Sequence, residues 1–540
     1  MKKLVSRFMA VLMAMTMILS MSMTAFAADA PKGTLTVNNT VAGKTLDLYQ
    51  IFTATKSGDN VAYTLNSAYE GFFKNNTRIS GSENLTGEAL SEAAYNYVKD
   101  QVGLNGDAET AKTFAKDMLG WILDSNNKIT ATKTVETTAT STQISDLAYG
   151  YYLVYPKGAT DTSTAPGNET VKSVASLVSV TGTDARVNMK SNYPTVVKKV
   201  NNKNADDVNI GDTVTYTLTS KVPDMTGYTS YVFNFKDTLS AGLTFKEITS
   251  VTVGDTTITK VEAGQGANDT YTLTQAGQNI TITMNNFLAS NKDKAGQEIK
   301  VTYTATLNKD AVTGFDPNTN KATVEYSNNP GTDDKGESEP SKVDVHTFDF
   351  TIFKYYLKGA DKTGLANAEF ELYKANKAGD AADTNAKIKI VDEGNGVYRQ
   401  ATADEVKKGD FTSAKIVSDA DGKVLVKGLD AGTYYLRETK APDGYNKLLS
   451  DIKVEIKPVY DNSTGKLTSY SVDYTYNGTT TSGTAITSTN NSPEVLVENK
   501  TGAQLPSTGS KGALMVTLAG IVLFGVLTAS KAFGKKKAKN

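Results

Sequence analysis

Apolar residues between about residue 30 and residue 500 fall in short alternating runs, and Gly, Asn and Asp separate one run from the next. Residues two apart share a face of a strand, so this pattern predicts half-buried β-strands joined by tight turns. Two stretches break the alternation. Thr86 to Asp100 (Leu90, Ala94, Tyr97, Val98) and Ala108 to Ser125 (Ala111, Phe114, Ala115, Met118, Leu119, Ile122) carry helical spacing, and Trp121 within the second reads as ordinary core. Internal similarity then divides the chain. Leu46-Asp47-Leu48-Tyr49 echoes Phe370-Glu371-Leu372-Tyr373, and Tyr151 to Lys157 echoes Tyr434 to Lys440. The expected fold class is all-β: three tandem immunoglobulin-like β-sandwich modules at 28–192, 193–345 and 346–500, the first with a helical insertion and the first and last as copies of one design. A polar, turn-rich segment from Asn328 to Lys342 lies near the end of the middle module.

Strand parity puts polar residues on apolar faces. In the last module Lys354 shares a face with Ile352 and Tyr356, Glu438 with Tyr434 and Leu436, and Asn499 with Val495 and Val497. In the middle module Lys198 lies between Val196 and Val200, Asp237 follows Phe233 and Phe235, and Asn320 begins the row Ala322, Val324, Tyr326. Twice a lysine, an acid and an asparagine point inward, the lysine on an opening strand and the asparagine on a closing one. Burial disfavours charge on both ionisable partners, which sets a neutral amine beside a protonated carboxyl able to hydrogen-bond an amide and move protons. Buried salt-bridge triads are the alternative. Lys199 beside Lys198, and Asn328 on the parity of Asn320, are alternative members of the middle set.

Composition narrows the chemistry. The 540 residues contain no cysteine and one histidine, His346. Disulfides, zinc-cysteine clusters, cysteine nucleophiles and Ser-His-Asp triads are therefore not expected, nor is a cofactor. Asp419-Ala420-Asp421-Gly422 opens like a calcium loop but lacks the glutamate at its twelfth position, so it reads as a β-turn and no metal is expected. His346 reads as a linker residue, and Asp206-Asp207 as a solvated turn. A formal net charge of −1 gives no sign of a nucleic-acid partner.

The ends are read as processing signals. Residues 1–27 carry Lys2, Lys3 and Arg7, an apolar run from Phe8 to Leu19 and Ala25-Phe26-Ala27, the pattern of a secretory signal peptide. Within 501–540, Leu505-Pro506-Ser507-Thr508-Gly509 precedes an apolar span at 513–529, about 26 Å as a helix, and the basic tail Lys535-Lys536-Lys537. Cleavage after Ala27 and Thr508 would remove nine basic residues and no acid, leaving 48 basic against 58 acidic residues and a net charge of −10.

That terminus resembles the cell-wall sorting signal of Gram-positive bacteria. Glu438-Thr439-Lys440-Ala441-Pro442-Asp443-Gly444-Tyr445 matches the ETxAPxGY E-box of sortase-assembled pilins, and Gly364 to Leu372 looks like a strand of a collagen-adhesin (Cna) B-type domain. The chain thus resembles a Gram-positive backbone pilin. The resemblance implies a non-enzymatic, wall-linked shaft subunit on the cell surface that serves adhesion through an unknown host ligand. It implies sortase attack at Thr508 within Leu505, Pro506 and Gly509, and partners comprising further copies of the chain, sortase, peptidoglycan and minor pilins. It implies isopeptide bonds Lys198–Asn320 and Lys354–Asn499, promoted by Asp237 and Glu438. For the lysine that receives the next subunit it leaves two candidates. Lys157 lies in a Tyr155-Pro156-Lys157 string of the family's acceptor type, whereas Lys190 follows the module's final strand, where the family's acceptor normally sits. A monomeric wall-anchored adhesin with the same modules is the alternative function. No bond is expected in the first module, where Tyr155 stands at the counterpart of Glu438 and Thr34 to Val37 lacks a lysine.

Overall fold

Leu35 and Val37 face inward from the strand Lys32–Asn38, which pairs antiparallel with Ser141–Ala148 and parallel with Ala185–Asn188. The computed structural model describes residues 31–74, 79–103, 108–159, 174–189, 193–225, 227–328, 332–488 and 491–502. The predicted signal peptide, Lys190 and the sorting signal with Leu505, Pro506, Thr508, Gly509 and the 513–529 span lie outside them. Among the described residues the sheets form three successive β-sandwiches, each with its own buried cluster. The described residues are all-β apart from short helical segments, the longest of which sit in the first sandwich.

In that first unit the second sheet centres on Thr45–Ser57 and Gly150–Pro156. Helices Gly87–Tyr97 and Ala108–Leu123 cover its outer face through Leu90, Ala94, Phe114, Met118 and Ile122. Trp121 packs there against Tyr69 and Phe72. With helices on one side and a sheet on the other, the strand Gly150–Pro156 is buried on both faces, so its sequence loses alternation. Strand pairing also corrects the repeat comparison. Phe370 pairs with Glu438 and Leu372 with Leu436, whereas Leu46 pairs with Pro156 and Leu48 with Val154. The frame is displaced by one residue, so Pro156 stands opposite the counterpart of Phe370, and Tyr155 turns to the helix side.

The middle sandwich packs a five-stranded sheet, which carries Val197–Val200 at one edge, on an eight-stranded one. Its larger sheet places Phe233–Leu239 beside Asn318–Ser327. The turn-rich segment is less irregular than its composition suggests: Lys335–Glu337 and Ser341–His346 are strands paired with Asn318–Ser327. Asn320 therefore lies on an interior strand, not the closing one. In the last sandwich Phe348–Lys358 pairs in parallel with Glu494–Glu498, and Gly432–Lys440 crosses opposite them in the other sheet.

The junction between the middle and last sandwiches corrects two expectations. His346 ends a strand and is only 2% exposed, its ring stacked near Phe348 and edge-on to Tyr460. Asp207 is a strand residue that accepts hydrogen bonds from the Ala431 N–H and the Tyr460 hydroxyl, both at 2.9 Å. Charge patterning along the chain marks both residues as linker and turn, but the pairing of Ala205–Asp207 with Asp344–His346 carries them into the interface.

Burial holds the His346 imidazole down to about 4, despite the opposing pull of Asp344 and Asp316. The unfolded chain, with an ordinary histidine near 6.5, binds a proton that the folded chain refuses between about 6.5 and 4. Stability should therefore fall as pH drops through that window, by up to about 3 kcal/mol from this residue. Thermal unfolding of wild type and H346F across pH 4 to 7 should diverge over this range, and parallel curves would contradict the assignment.

Candidate functional site

Two sets of polar residues interrupt inward apolar rows, and the fold brings each set together. In the middle sandwich Lys198 comes from the edge strand of the smaller sheet, where its N–H donates to the Ser341 hydroxyl at 2.9 Å. Asp237 and Asn320 come from adjacent antiparallel strands of the other sheet. Leu239 pairs with Asn320, so Asp237 lies diagonally across from it on the same face. All three side chains are at most 1% exposed. The Lys198 ammonium donates to Asp237 Oδ2, and to the Tyr303 hydroxyl at 2.7 Å. Tyr303 donates in turn to Asp237 Oδ2 at 2.8 Å and accepts from Asn320 Nδ2 at 2.7 Å. Its ring stacks on Tyr216, and Lys198 Nζ lies 4.9 and 5.1 Å from the two ring centroids.

The last sandwich uses a different frame. Lys354 lies within the strand Phe348–Lys358, Asn499 directly follows its parallel neighbour Glu494–Glu498, and the Asn499 N–H donates to the Tyr355 carbonyl at 2.9 Å. Glu438 reaches them from the opposite sheet. Its Oε1 lies 2.9 Å from Lys354 Nζ, and its Oε2 accepts from Asn499 Nδ2 at 3.3 Å and from the Leu448 N–H at 2.7 Å. Asn499 Nδ2 also donates to the Asn446 carbonyl at 2.8 Å. The Pro442-to-Tyr445 turn, with Gly444 at φ +88°, folds Asn446 and Leu448 back onto the cluster. The Asp419 turn has a local task as well. Asp419 accepts from the Asp421 and Lys423 N–H groups, and Gly422, at φ +76°, presses so closely on the Lys354 carbonyl that an added Cβ would sit 2.2 Å from its oxygen.

Burial pushes both lysines down to about 8, against the opposing influence of Asp237 and Glu438. An uncharged amine is thus accessible near neutral pH in each cluster. The Asn320 and Asn499 carbonyl oxygens, together with Asp237 Oδ1, are buried without a hydrogen-bond partner. A nucleophilic nitrogen, a carboxyl and an amide sealed from water are the components of amide exchange.

Neighbouring candidates lie elsewhere. Lys199 faces away from the core and donates to Asn204 at 2.6 Å, and Asn328 lies just past the end of the strand that carries Asn320, at the contact with Gly158 of the first unit. Lys157 is three-quarters covered and paired with Asp47 at 3.1 Å. Sequence reasoning missed Tyr303. Its position in the inward row Val301, Tyr303, Ala305 is a usable signal, but an inward tyrosine reads first as apolar filling.

Removing one member of a buried pair strands the other. K198A should therefore destabilise the middle sandwich by more than about 3 kcal/mol, and K199A by no more than about 1 kcal/mol. Chemical denaturation of the two variants checks this, and equal losses would contradict the placement.

Comparison with known proteins adds an independent line. A Gram-positive pilin backbone subunit 2, Cna-B-like domain matches residues 210–330, and the SpaA prealbumin-like fold domain matches residues 354–471. The trypsin-resistant surface T6 protein of Streptococcus pyogenes serotype M6 is 28% identical over 316 residues, 53% of this chain and 50% of that protein. The fimbrial subunit type 2 of Actinomyces naeslundii is 28% identical over 287 residues, 48% of this chain and 50% of that protein. The chain thus spans about half the length of the curated relatives it matches. Among solved structures, the T6 backbone pilin of serotype M6 Streptococcus pyogenes covers 89% of this chain and 100% of its own at 17% identity and a TM-score of 0.46. The major pilin SpaD of Corynebacterium diphtheriae covers 77% of this chain and 88% of its own at 20% identity and a TM-score of 0.39. The middle sandwich is thus similar to the Gram-positive pilin backbone domain and the last to the SpaA prealbumin-like domain, and the named relatives are a surface protein and a fimbrial subunit.

Proposed function

We propose that the chain is the shaft subunit of a covalently polymerised pilus on a Gram-positive cell surface, with its middle and last sandwiches each closed by an intramolecular lysine–asparagine isopeptide bond. The observation that carries this reading is the repetition of one buried chemical set, Lys198-Asp237-Asn320 and Lys354-Glu438-Asn499, in consecutive sandwiches. A buried ion pair is a poor source of stability, since desolvation costs several kcal/mol per ion. Conversion to an amide removes both the lysine charge and the need to neutralise it, with ammonia as the leaving group. The chain is then a substrate and a self-modifying scaffold rather than an enzyme.

Polymerisation in this reading joins Thr508 of one copy, activated by a sortase, to a lysine of the next. Minor pilins and peptidoglycan complete the set of partners, and adhesion is the service the fibre performs. The names of the two relatives, a surface protein and a fimbrial subunit, support the surface location. Tension along such a fibre enters the last sandwich at one strand of a parallel pair and leaves near the other. A Lys354–Asn499 bond carries that load directly, and it closes a loop of about 150 residues, worth about 5 kcal/mol of chain entropy. The ion pair that holds Lys157 to Asp47 favours Lys190 as the acceptor.

Mass spectrometry of tryptic peptides from the high-molecular-weight polymer should yield a branched peptide that joins Thr508 to Lys190. A branch at Lys157 would move the acceptor. Chains that run only as detergent-resistant monomers, with no branch at either lysine, would favour the wall-anchored adhesin.

A further inference from the structure

The two clusters differ in one respect that neither the strand pattern nor the family matches explain. Glu438 spans its own site: one carboxylate oxygen lies at Lys354 Nζ and the other accepts from Asn499 Nδ2. Asp237 is a methylene shorter. Its Oδ2 serves both Lys198 and Tyr303, its Oδ1 has no partner, and Asn320 Nδ2 donates to the Tyr303 hydroxyl instead. Tyr303 therefore occupies the gap that the shorter acid leaves. Its hydroxyl is the one atom in the middle cluster that contacts the nucleophile, the acid and the nitrogen that must depart.

We propose that Tyr303 is a catalytic residue of isopeptide formation in the middle sandwich, where it relays the proton of Asp237 to the departing amide nitrogen. This rests on the reading of the cluster given above. The step balances. Lys198 Nζ bonds to Asn320 Cγ, and the Cγ–Nδ2 bond breaks. Tyr303 gives its hydroxyl proton to Nδ2 and takes the proton of the Asp237 carboxylic acid. The carboxylate so formed takes the proton released by Nζ, and ammonia leaves with acid and phenol restored. Burial holds the Tyr303 hydroxyl well above its ordinary range, with Asp237 adding to the effect, so the phenol keeps its proton for the relay. The last sandwich needs no such residue: an aromatic side chain near Lys354, Phe370, carries no hydroxyl.

The test follows linked peptides over time in the full chain after pulsed synthesis, with the Lys354–Asn499 peptide as an internal clock. Wild type should form both links. Y303F should form the Lys198–Asn320 link at least about 100-fold more slowly, as expected when a general acid is lost, while the Lys354–Asn499 link keeps its rate. The double variant D237E/Y303F, whose longer acid can span the site as Glu438 does, should regain the link. Because it keeps the same ring without the hydroxyl, recovery separates proton relay from packing. A Y303F chain that links at the wild-type rate, or a double variant as slow as Y303F, would overturn the role of Tyr303. Absence of the middle link from wild type would instead overturn the isopeptide reading itself.

Discussion

A lysine amine and a carboxylate sealed from water inside a β-sandwich carry a desolvation penalty of several kcal/mol each, and the interior dielectric that imposes it also strengthens whatever contact they make. Both clusters are organised around that constraint. The stacked rings of Tyr216 and Tyr303 lie beside Lys198, and each lysine meets an acid supplied by the opposite sheet. The sandwich core excludes water, so a neutral amine becomes accessible, and an asparagine amide is held in the same cluster through Tyr303 in the middle sandwich and through Glu438 in the last.

The same chemistry is framed in two ways. In the middle sandwich the lysine and asparagine stand on different sheets, so a bond between them would pin the two layers together across the core. In the last sandwich they stand on neighbouring parallel strands, and the bond would fasten the entry strand to the exit strand. The length of the acid tracks this choice. Glutamate reaches both partners from across the sheet gap, and aspartate leaves a space that the Tyr303 hydroxyl fills. Among its described residues the first unit has neither set. Its sandwich interior is apolar at the corresponding pair, Leu46 and Pro156, and its elaboration is a helical layer on the outer face.

How much of this could be read from the chain alone depends on the range of the interaction. Lys198, Asp237, Lys354 and Glu438 stand out because a charge interrupts an apolar row, and parity along a single strand is enough to see it. Tyr303 does not interrupt its row, so its hydroxyl acquires meaning only when three other strands converge on it. The one-residue displacement at Pro156 is invisible for a similar reason, since pairing register is decided between strands and not within one. His346 and Asp207 look like linker and turn residues because the chain around them is polar; a parallel strand pairing at the end of the middle sandwich buries His346 and half-buries Asp207 at the junction.

The central claim is that both clusters are covalent. Intact-mass spectrometry of the purified chain tests it most directly, because each isopeptide bond removes one ammonia, about 17 Da. The account predicts a mass about 34 Da below that of the processed sequence. A chain at its full sequence mass would show two buried ion pairs in place of two bonds and would contradict it.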